Sequence, residues 1–329
     1  MAQVISLRET DQQPDRCRAV TANGKRCRNR AVGESGFCRI HLPAKPERIG
    51  PFDAAAVRDV LEFGRRRLTG DYEVDDFGFD AELVERFWLP LLKPIGERYW
   101  RVEWKGMENV PSEGAALLVS NHAGTLPVDS LVMKFGVLEE HPARRHVRLL
   151  AADLVYRMPF VGPIARKMGN TLAASEDAER LLEMGELVGV FPEGFKGVGK
   201  QFKDRYRLRR FGRGGFVATA IRAGAPIIPI SVVGSEEIYP MVADASPIAR
   251  LFGLPYFPIT PMWPWLGALG MIPLPSKWRI QFHPPVHTEL IAAESAEDQS
   301  LVMTISDEVR NTIQKGVYEN LKLRRGVFV

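Results

Sequence analysis

The sequence predicts an α/β class of fold, a layered and mostly parallel sheet flanked by helices, with a small N-terminal zinc module in front of it. Three observations point there. Past residue 100, short apolar runs alternate with helical segments, as strands do when each returns to a parallel sheet through a crossover helix. All three cysteines fall within 22 residues near the N-terminus. The chain has 329 residues and is 45% hydrophobic, enough for a core of ordinary size in one large domain or two.

The N-terminal part, residues 1–45, holds Cys17, Cys27 and Cys38, with His41 three residues after the last. Three thiolates and one imidazole form a soft tetrahedral ligand set for structural zinc, and Cys38-x-x-His41 is short enough for one turn to present two ligands. A disulfide would need an oxidising compartment, for which the sequence carries no signal. Residues Cys17, Ala19, Thr21, Gly24, Cys27, Cys38 and His41 also resemble a small family of Cys3His modules, a resemblance that implies metal binding without naming a partner. Ten Lys and Arg against five Asp and Glu in residues 1–50 place the basic balance of the chain here. The module could touch nucleic acid or an anionic membrane, but aromatic residues for stacking on bases are nearly absent from this stretch, and a solvated basic surface is preferred.

"PAKPERIGP" at 43–51 reads as a linker, and 46–99 as linker plus helical segment. "DAAAVRDVLEFGRRRL" places Val57, Val60, Leu61 and Leu68 near one helical face, with Asp53 as its cap. "DAELVERFWLPLL" predicts a second helix, kinked at Pro90. Residues 100–329 form the main domain. Strands are expected at "YWRVEW", "AALLVS", "HVRLLA", "LVGVF", "PIIPISVV" and "WRIQF", and helices near 126–138, 156–168, 175–185, 213–223 and 298–322.

No uninterrupted apolar run approaches the roughly 20 residues of a spanning helix, and "MAQVISLRETDQQ" lacks the features of a secretory signal. The expectation is a cytoplasmic protein that meets lipid, if at all, from the inner face of a membrane.

In a parallel sheet, ligands sit beyond the carboxyl ends of the strands. His122 follows "AALLVSN" and Glu193 follows "LVGVFP", so both are expected at that edge. An imidazole there can take a proton from a hydroxyl, and a carboxylate on its other nitrogen fixes the tautomer. Among six histidines, only His122 combines a strand end, an adjacent Asn121 and a nearby carboxylate, Asp129. The Pro192-Glu193-Gly194 turn is expected to project one carboxylate and to leave backbone N–H groups open to a ligand.

Taken in order, "SNHAGTLPVD", "FPEG" and "GAPIIPISVVG" resemble the glycerolipid acyltransferase family over about 110–285. The resemblance implies transfer of an acyl group from a thioester, acyl-CoA or acyl carrier protein (acyl-ACP), to a glycerolipid hydroxyl. It makes His122 the general base and Asp129 its orienting acid. Asn121, Glu193, Gly194, Lys196, Lys200 and Arg213 become substrate-binding residues, and no catalytic cofactor is implied. No Gly-x-Ser-x-Gly elbow offers a covalent acyl-enzyme, so direct attack by the acceptor fits better.

Three departures from the family pattern matter. The usual acid position is Pro127 here, so either the loop folds Asp129 back or the histidine lacks this partner. Ala173, Ala174 and Ser175 stand where an arginine is usual, and Phe195-Lys196 where Thr-Arg is common. Those arginines accompany a phosphorylated acceptor, so their loss admits a neutral one, a monoacyl- or diacylglycerol.

Two other stretches call for explanation. Eight Lys and Arg from Lys196 to Arg213 face one acid, Asp204, a density suited to the phosphates of CoA, an acidic carrier protein or anionic head groups. Residues 251–276 contain no charge and five or more prolines, and suit an acyl pocket, a loop at a membrane interface or plain core. Two competing functions remain. "GFKGVGKQ" at 194–201 nearly matches a nucleotide-binding phosphate loop, with Gln201 in place of the magnesium-holding hydroxyl. A non-catalytic lipid- or nucleic-acid-binding protein working through the zinc module is the other.

Overall fold

In the computed structural model, residues 54–328 are described. The expected zinc ligands Cys17, Cys27, Cys38 and His41, the cap Asp53 and the linker at 43–51 lie outside them. The chain divides into two compact units, 1–72 and 73–329. The first unit contributes helix α1, Ala54–Thr69. The second holds everything below, and it begins well before the boundary expected at residue 100.

Its sheet has seven strands: β1 Glu103–Lys105, β2 Ala116–Ser120, β3 Val147–Ala151, β4 Asn170–Leu172, β5 Leu187–Val190, β6 Ile227–Val233 and, last in sequence, β9 Arg279–Phe282. A separate hairpin supplies β7 Ala243–Asp244 and β8 Pro258–Ile259. The order across the sheet is β1-β9-β6-β2-β5-β3-β4. Strands β6, β2, β5, β3 and β4 run parallel, and β9 is antiparallel to β6. Every residue of β2 and β6 is buried, as befits central strands covered on both faces.

The alternation along β2 sorts the two layers. Leu117 and Val119 join Val188 and Ile227 under helices α6 (Ser175–Glu183), α8 (Gly215–Arg222) and α10 (Gln299–Leu323). Ala116 and Leu118 join Leu149, Ile228 and Ile230 under α3 (Val128–Glu140). Helix α10 is capped by Asp298, which accepts from the N–H groups of Ser300 and Leu301. Between β3 and β4 lie two short helices, α4 (Asp153–Arg157) and α5 (Val161–Lys167), where one continuous helix was expected. No helix among the described residues is long and apolar enough to cross a membrane.

The helical segment α2 passes through Ala81–Leu83, Val84–Trp88, Leu89–Pro94 and Ile95–Tyr99, with π-helical turns at the second and fourth stretches. Pro90 follows the first π turn and occupies the opening turn of the next α stretch, so its missing N–H costs little and the expected kink becomes a change of helical pitch. This segment consumes the start of "YWRVEW", which leaves a strand only at 103–105. Val84 and Leu89 pack with Phe135, Leu138 and Met168, joining α2 to the sheet layers.

Two cations are buried beneath β3. Arg148 is fully buried with its Nη1 2.7 Å from Asp75, and its guanidinium lies 4.7 Å from the Phe79 ring. Lys134 is 1% exposed, and its Nζ has no hydrogen-bond partner among the described residues. Burial, aided by the Arg148 charge, pushes the Lys134 ammonium down to about 7. Between that value and the ordinary 10.5, the unfolded chain holds a proton at Lys134 that the folded chain does not. Stability should therefore rise with pH across this window. Lys134→Met should be more stable than the parent at pH 7 and flatter between pH 7 and 10 in denaturant melts; parallel profiles would contradict the assignment.

Candidate active site

Strands β2, β5 and β6 are neighbours and parallel, so the loops leaving their carboxyl ends converge. After β2, Asn121 begins the loop 121–127. Its side chain behaves as an extra peptide: Nδ2 donates to the Val232 carbonyl at 2.9 Å, and Oδ1 accepts from the Val232 N–H at 2.8 Å. The loop is thereby pinned to β6 before it turns. Gly124, at φ +102°, passes so close to the loop after β6 that an added Cβ would stand 2.4 Å from the Ser235 carbonyl. Thr125 takes φ +68°, a costly conformation for a β-branched residue. Three bonds hold it there: its N–H donates to Val198 O at 3.1 Å, its hydroxyl to Tyr239 O at 2.9 Å, and Tyr256 Oη donates to its carbonyl.

This constrained path brings His122 and Asp129 together. His122 Nδ1 lies 2.9 Å from Asp129 Oδ2, so the loop does fold the later acid back to the histidine. Asp129 is wholly buried in the first turn of α3, where it also accepts from Ala123 N–H at 2.8 Å through Oδ2 and from Ser130 N–H at 2.8 Å through Oδ1. A carboxylate receiving backbone donors on both oxygens is an acceptor, so Nδ1 of His122 carries the proton and Nε2 presents a lone pair. The imidazole packs on Phe191, ring centroids 4.5 Å apart, and 12% of its side chain remains exposed.

Glu193 stands differently from expectation. It is buried, and both oxygens accept backbone N–H groups: Oε1 from His122 at 2.9 Å and Oε2 from Arg209 at 2.6 Å. Its reach is to the protein backbone, and a substrate finds no free oxygen on it. Asn121, with both amide atoms paired to β6, is corrected in the same way. Lys200 is also buried, 2.9 Å from Glu236 and 3.6 Å from Glu193. That pairing removes it from substrate and equally from the phosphate-loop role considered at 194–201. Burial raises the Glu236 carboxyl despite the opposing pull of Lys200.

Gly194 is exposed at φ +53°, and its N–H is spent on Phe191 O at 3.0 Å rather than left open. Lys196 and Arg213 are exposed. Of the remaining basic run, Arg205 stacks on Phe202 at 4.4 Å and Arg209 pairs with Asp204 at 2.9 Å.

Sequence reasoning missed two supports. Gly197 lies directly under His122: an added Cβ would meet the His122 carbonyl at 2.5 Å and its Cβ at 3.0 Å. Tyr256 reaches the same loop from a segment more than 130 residues away, its hydroxyl raised by burial and by the Asp129 charge. Nothing in local spacing links either residue to His122, although both fall in stretches already marked as unusual.

Beside this site, α2, α3 and β1 line an apolar cavity of about 110 Å³, whose walls include Val128, Val132, Phe135, Gly136 and Trp104. Trp104 closes it so tightly that a Cβ on Gly136 would lie 1.9 Å from the indole ring. Among the described residues there is no cluster of three or more His, Cys, Asp or Glu able to hold a metal.

Comparison with known proteins agrees with this architecture. Residues 101–233 match the family model described as "Acyltransferase". A Mycobacterium tuberculosis protein described as uncharacterized is 54% identical over 275 residues, covering 84% of this chain and 77% of that one. A Gallus gallus protein named "DGAT1/2-independent enzyme synthesizing storage lipids" is 26% identical over 236 residues, 69% of this chain and 67% of its own. The crystal structure of the 1-acyl-sn-glycerophosphate (LPA) acyltransferase from Thermotoga maritima superposes with a TM-score of 0.50 at 20% identity, over 83% of this chain and 93% of that one, and so shares the fold.

Gly197→Ala tests the packing under His122. The variant should fold, with a modest loss of thermal stability, and should weaken the His122–Asp129 contact, seen as a shifted His122 ring resonance. An unchanged resonance would show that the approach at Gly197 does not position the ring.

Proposed function

We infer, for a chain that belongs to the acyltransferase family, that it moves a fatty acyl group from an acyl thioester to a glycerolipid hydroxyl, with His122 as general base. The observation that carries this reading is the His122–Asp129 pair, joined through Nδ1 with 12% of the imidazole side chain exposed. In the reaction, Nε2 takes the proton of the acceptor hydroxyl as its oxygen attacks the thioester carbonyl. The tetrahedral intermediate collapses with cleavage of the C–S bond, and the departing thiolate takes the proton back from the imidazolium. Asp129 stays ionised throughout and steadies the imidazolium. Glu193 is a positioning residue, acting through the His122 backbone. The donor is acyl-CoA or acyl-ACP, whose phosphates meet the exposed cations of 196–213.

For the acceptor, a neutral glycerolipid is preferred. At the end of β4, Ala173, Ala174 and Ser175 supply no cation, and nearby Arg180 is committed to Asp76. The acyl chain is assigned to the apolar cavity lined by Val128 and Trp104. The Cys3His module at 17–41 is proposed, on its donor set alone, to hold one structural zinc; metal analysis of the full chain should find one equivalent, lost in Cys38→Ser.

With labelled acyl-CoA and acyl-ACP, transfer by purified protein should fall by roughly 10²- to 10⁴-fold in His122→Ala, and a diacylglycerol should be preferred over lysophosphatidate. Transfer that survives in the variant would remove His122 from the chemistry. Trp104→Ala should shift preference toward longer acyl chains in the same assay, and an unchanged chain-length profile would place the acyl chain elsewhere.

A further inference from the structure

The crossovers after β6, β2, β5 and β3 leave the same carboxyl edge and follow one another along it in that order. Each carries something different to the surface. After β6, the excursion at 234–276 exposes Leu251 (80%), Phe252, Trp265 (72%), Leu266 and Leu269 (64%). It is not loose, because Tyr239 Oη donates to Met271 O at 2.6 Å, Leu274 N–H to Ile238 O at 2.9 Å, and Tyr256 Oη to the site loop. After β2 comes His122. The crossover after β5 presents Lys196, Lys203, Arg207, Arg210 and Arg213, all exposed and, among the described residues, without side-chain partners. Beyond β3, Phe160 is 84% exposed and held at φ +66°, a genuinely unfavourable conformation for a bulky side chain, between α4 and α5.

The charge pattern of this edge is one-sided. Near the strand ends of these four crossovers the described carboxylates are already engaged: Asp129 with His122, Asp153 with Arg157, Glu193 with two backbone N–H groups, Asp204 with Arg209, Glu236 with Lys200, Glu237 with Arg324, and Asp244 with Phe257 N–H and Ser246. Exposed acids include Glu140, at the far end of α3, and Glu176, after β4. What remains is a cationic strip flanked on both sides by exposed aromatic and aliphatic side chains, with the candidate active site between the flanks. An apolar surface of this kind marks an interaction site, and cations beside interfacial Trp, Phe and Leu match the chemistry of a lipid surface bearing anionic head groups.

We propose that this carboxyl edge docks on an anionic bilayer, with Trp265, Leu266 and Leu269 on one flank and Phe160 on the other entering the interface, and the 196–213 cations facing phosphates between them. Docked so, His122 faces the layer in which a glycerolipid hydroxyl would sit. The proposal deepens the acyltransferase reading, yet its test is independent of turnover.

The test is sedimentation of the full chain with vesicles of phosphatidylcholine, with and without phosphatidylglycerol. The parent should bind phosphatidylglycerol vesicles more tightly than phosphatidylcholine alone, and less so as salt rises. Trp265→Ala with Leu269→Ser, which removes interfacial apolar surface, and separately Lys203→Glu with Arg210→Glu, which reverses two charges facing anionic head groups, should each weaken binding about tenfold or more. All four side chains are exposed, so melting temperatures should hold. His122→Ala should bind as the parent does, which separates failure of docking from failure of the catalytic reading. Undiminished vesicle binding in both double variants would overturn the proposal, as it would assign attachment to another part of the chain. The proposal would equally fall if the variants dissociated a dimer in sedimentation velocity while vesicle binding stayed unchanged, or if only an acidic carrier protein, and no vesicle, competed for the strip.

Discussion

Beneath the open face of this protein lies one buried carboxylate that ties the loop after β2 to the crossover after β5. Glu193 accepts the N–H of His122 with one oxygen and that of Arg209 with the other, while Lys200 stands 3.6 Å away and passes the charge on to Glu236. The loop after β2 and the crossover after β5 are thus tied through Glu193, and Lys200 joins the segment after β6 to them. Removing Glu193 would leave two part-buried backbone donors to find other partners, at a cost of up to roughly 1–3 kcal/mol each. The position of the histidine is in this sense an electrostatic property of the sheet's edge as much as of its own loop.

From that constraint the remaining geometry follows in steps. Asn121 copies a peptide group to continue the ladder with Val232, and so decides where the chain leaves β2. Gly124 and Thr125 then adopt left-handed conformations, close against the loop after β6, and the chain re-enters a helix with Asp129 in its first turn. Asp129 closes the circuit by binding His122 and the N–H of Ala123 through the same oxygen. Strain in the loop is balanced by hydrogen bonds from three directions, including one from Tyr256 in the uncharged excursion. The same excursion carries exposed apolar side chains outward, so the element that braces the base also shapes the surface through which substrate would arrive.

Much of this was legible in the chain. The alternation of apolar runs and helical stretches located six of the seven strands of the main sheet; it missed the short edge strand β4, whose three residues beside Gly169 carry no pattern of their own, and the two-residue hairpin strands β7 and β8. His122 stood out by its place after a buried strand, and Asp129 by being the first acid beyond it. The two readings of that acid could not be separated without coordinates, because the outcome depends on left-handed turns at Gly124 and Thr125, and threonine gives no sign of one. Asn121, Glu193 and Lys200 were placed at the correct edge but assigned to substrate. At a strand end a polar side chain can face the ligand or turn back on the protein, and spacing does not distinguish them; here all three turn back. Gly197 and Tyr256 act across the fold, where local pattern carries no information. The module at 17–41 lies outside the described residues, so its reading still rests on the spacing of Cys17, Cys27, Cys38 and His41.

Everything proposed for the chemistry turns on Asp129 holding His122 with its proton on Nδ1 and its lone pair on Nε2. Nitrogen-15 NMR of the ring, with the signal assigned by comparison with His122→Ala, reports that tautomer directly. In the parent the proton should sit on Nδ1, with the population redistributed toward Nε2–H in Asp129→Asn. A parent ring already in the Nε2–H form, or one indifferent to Asp129→Asn, would contradict it.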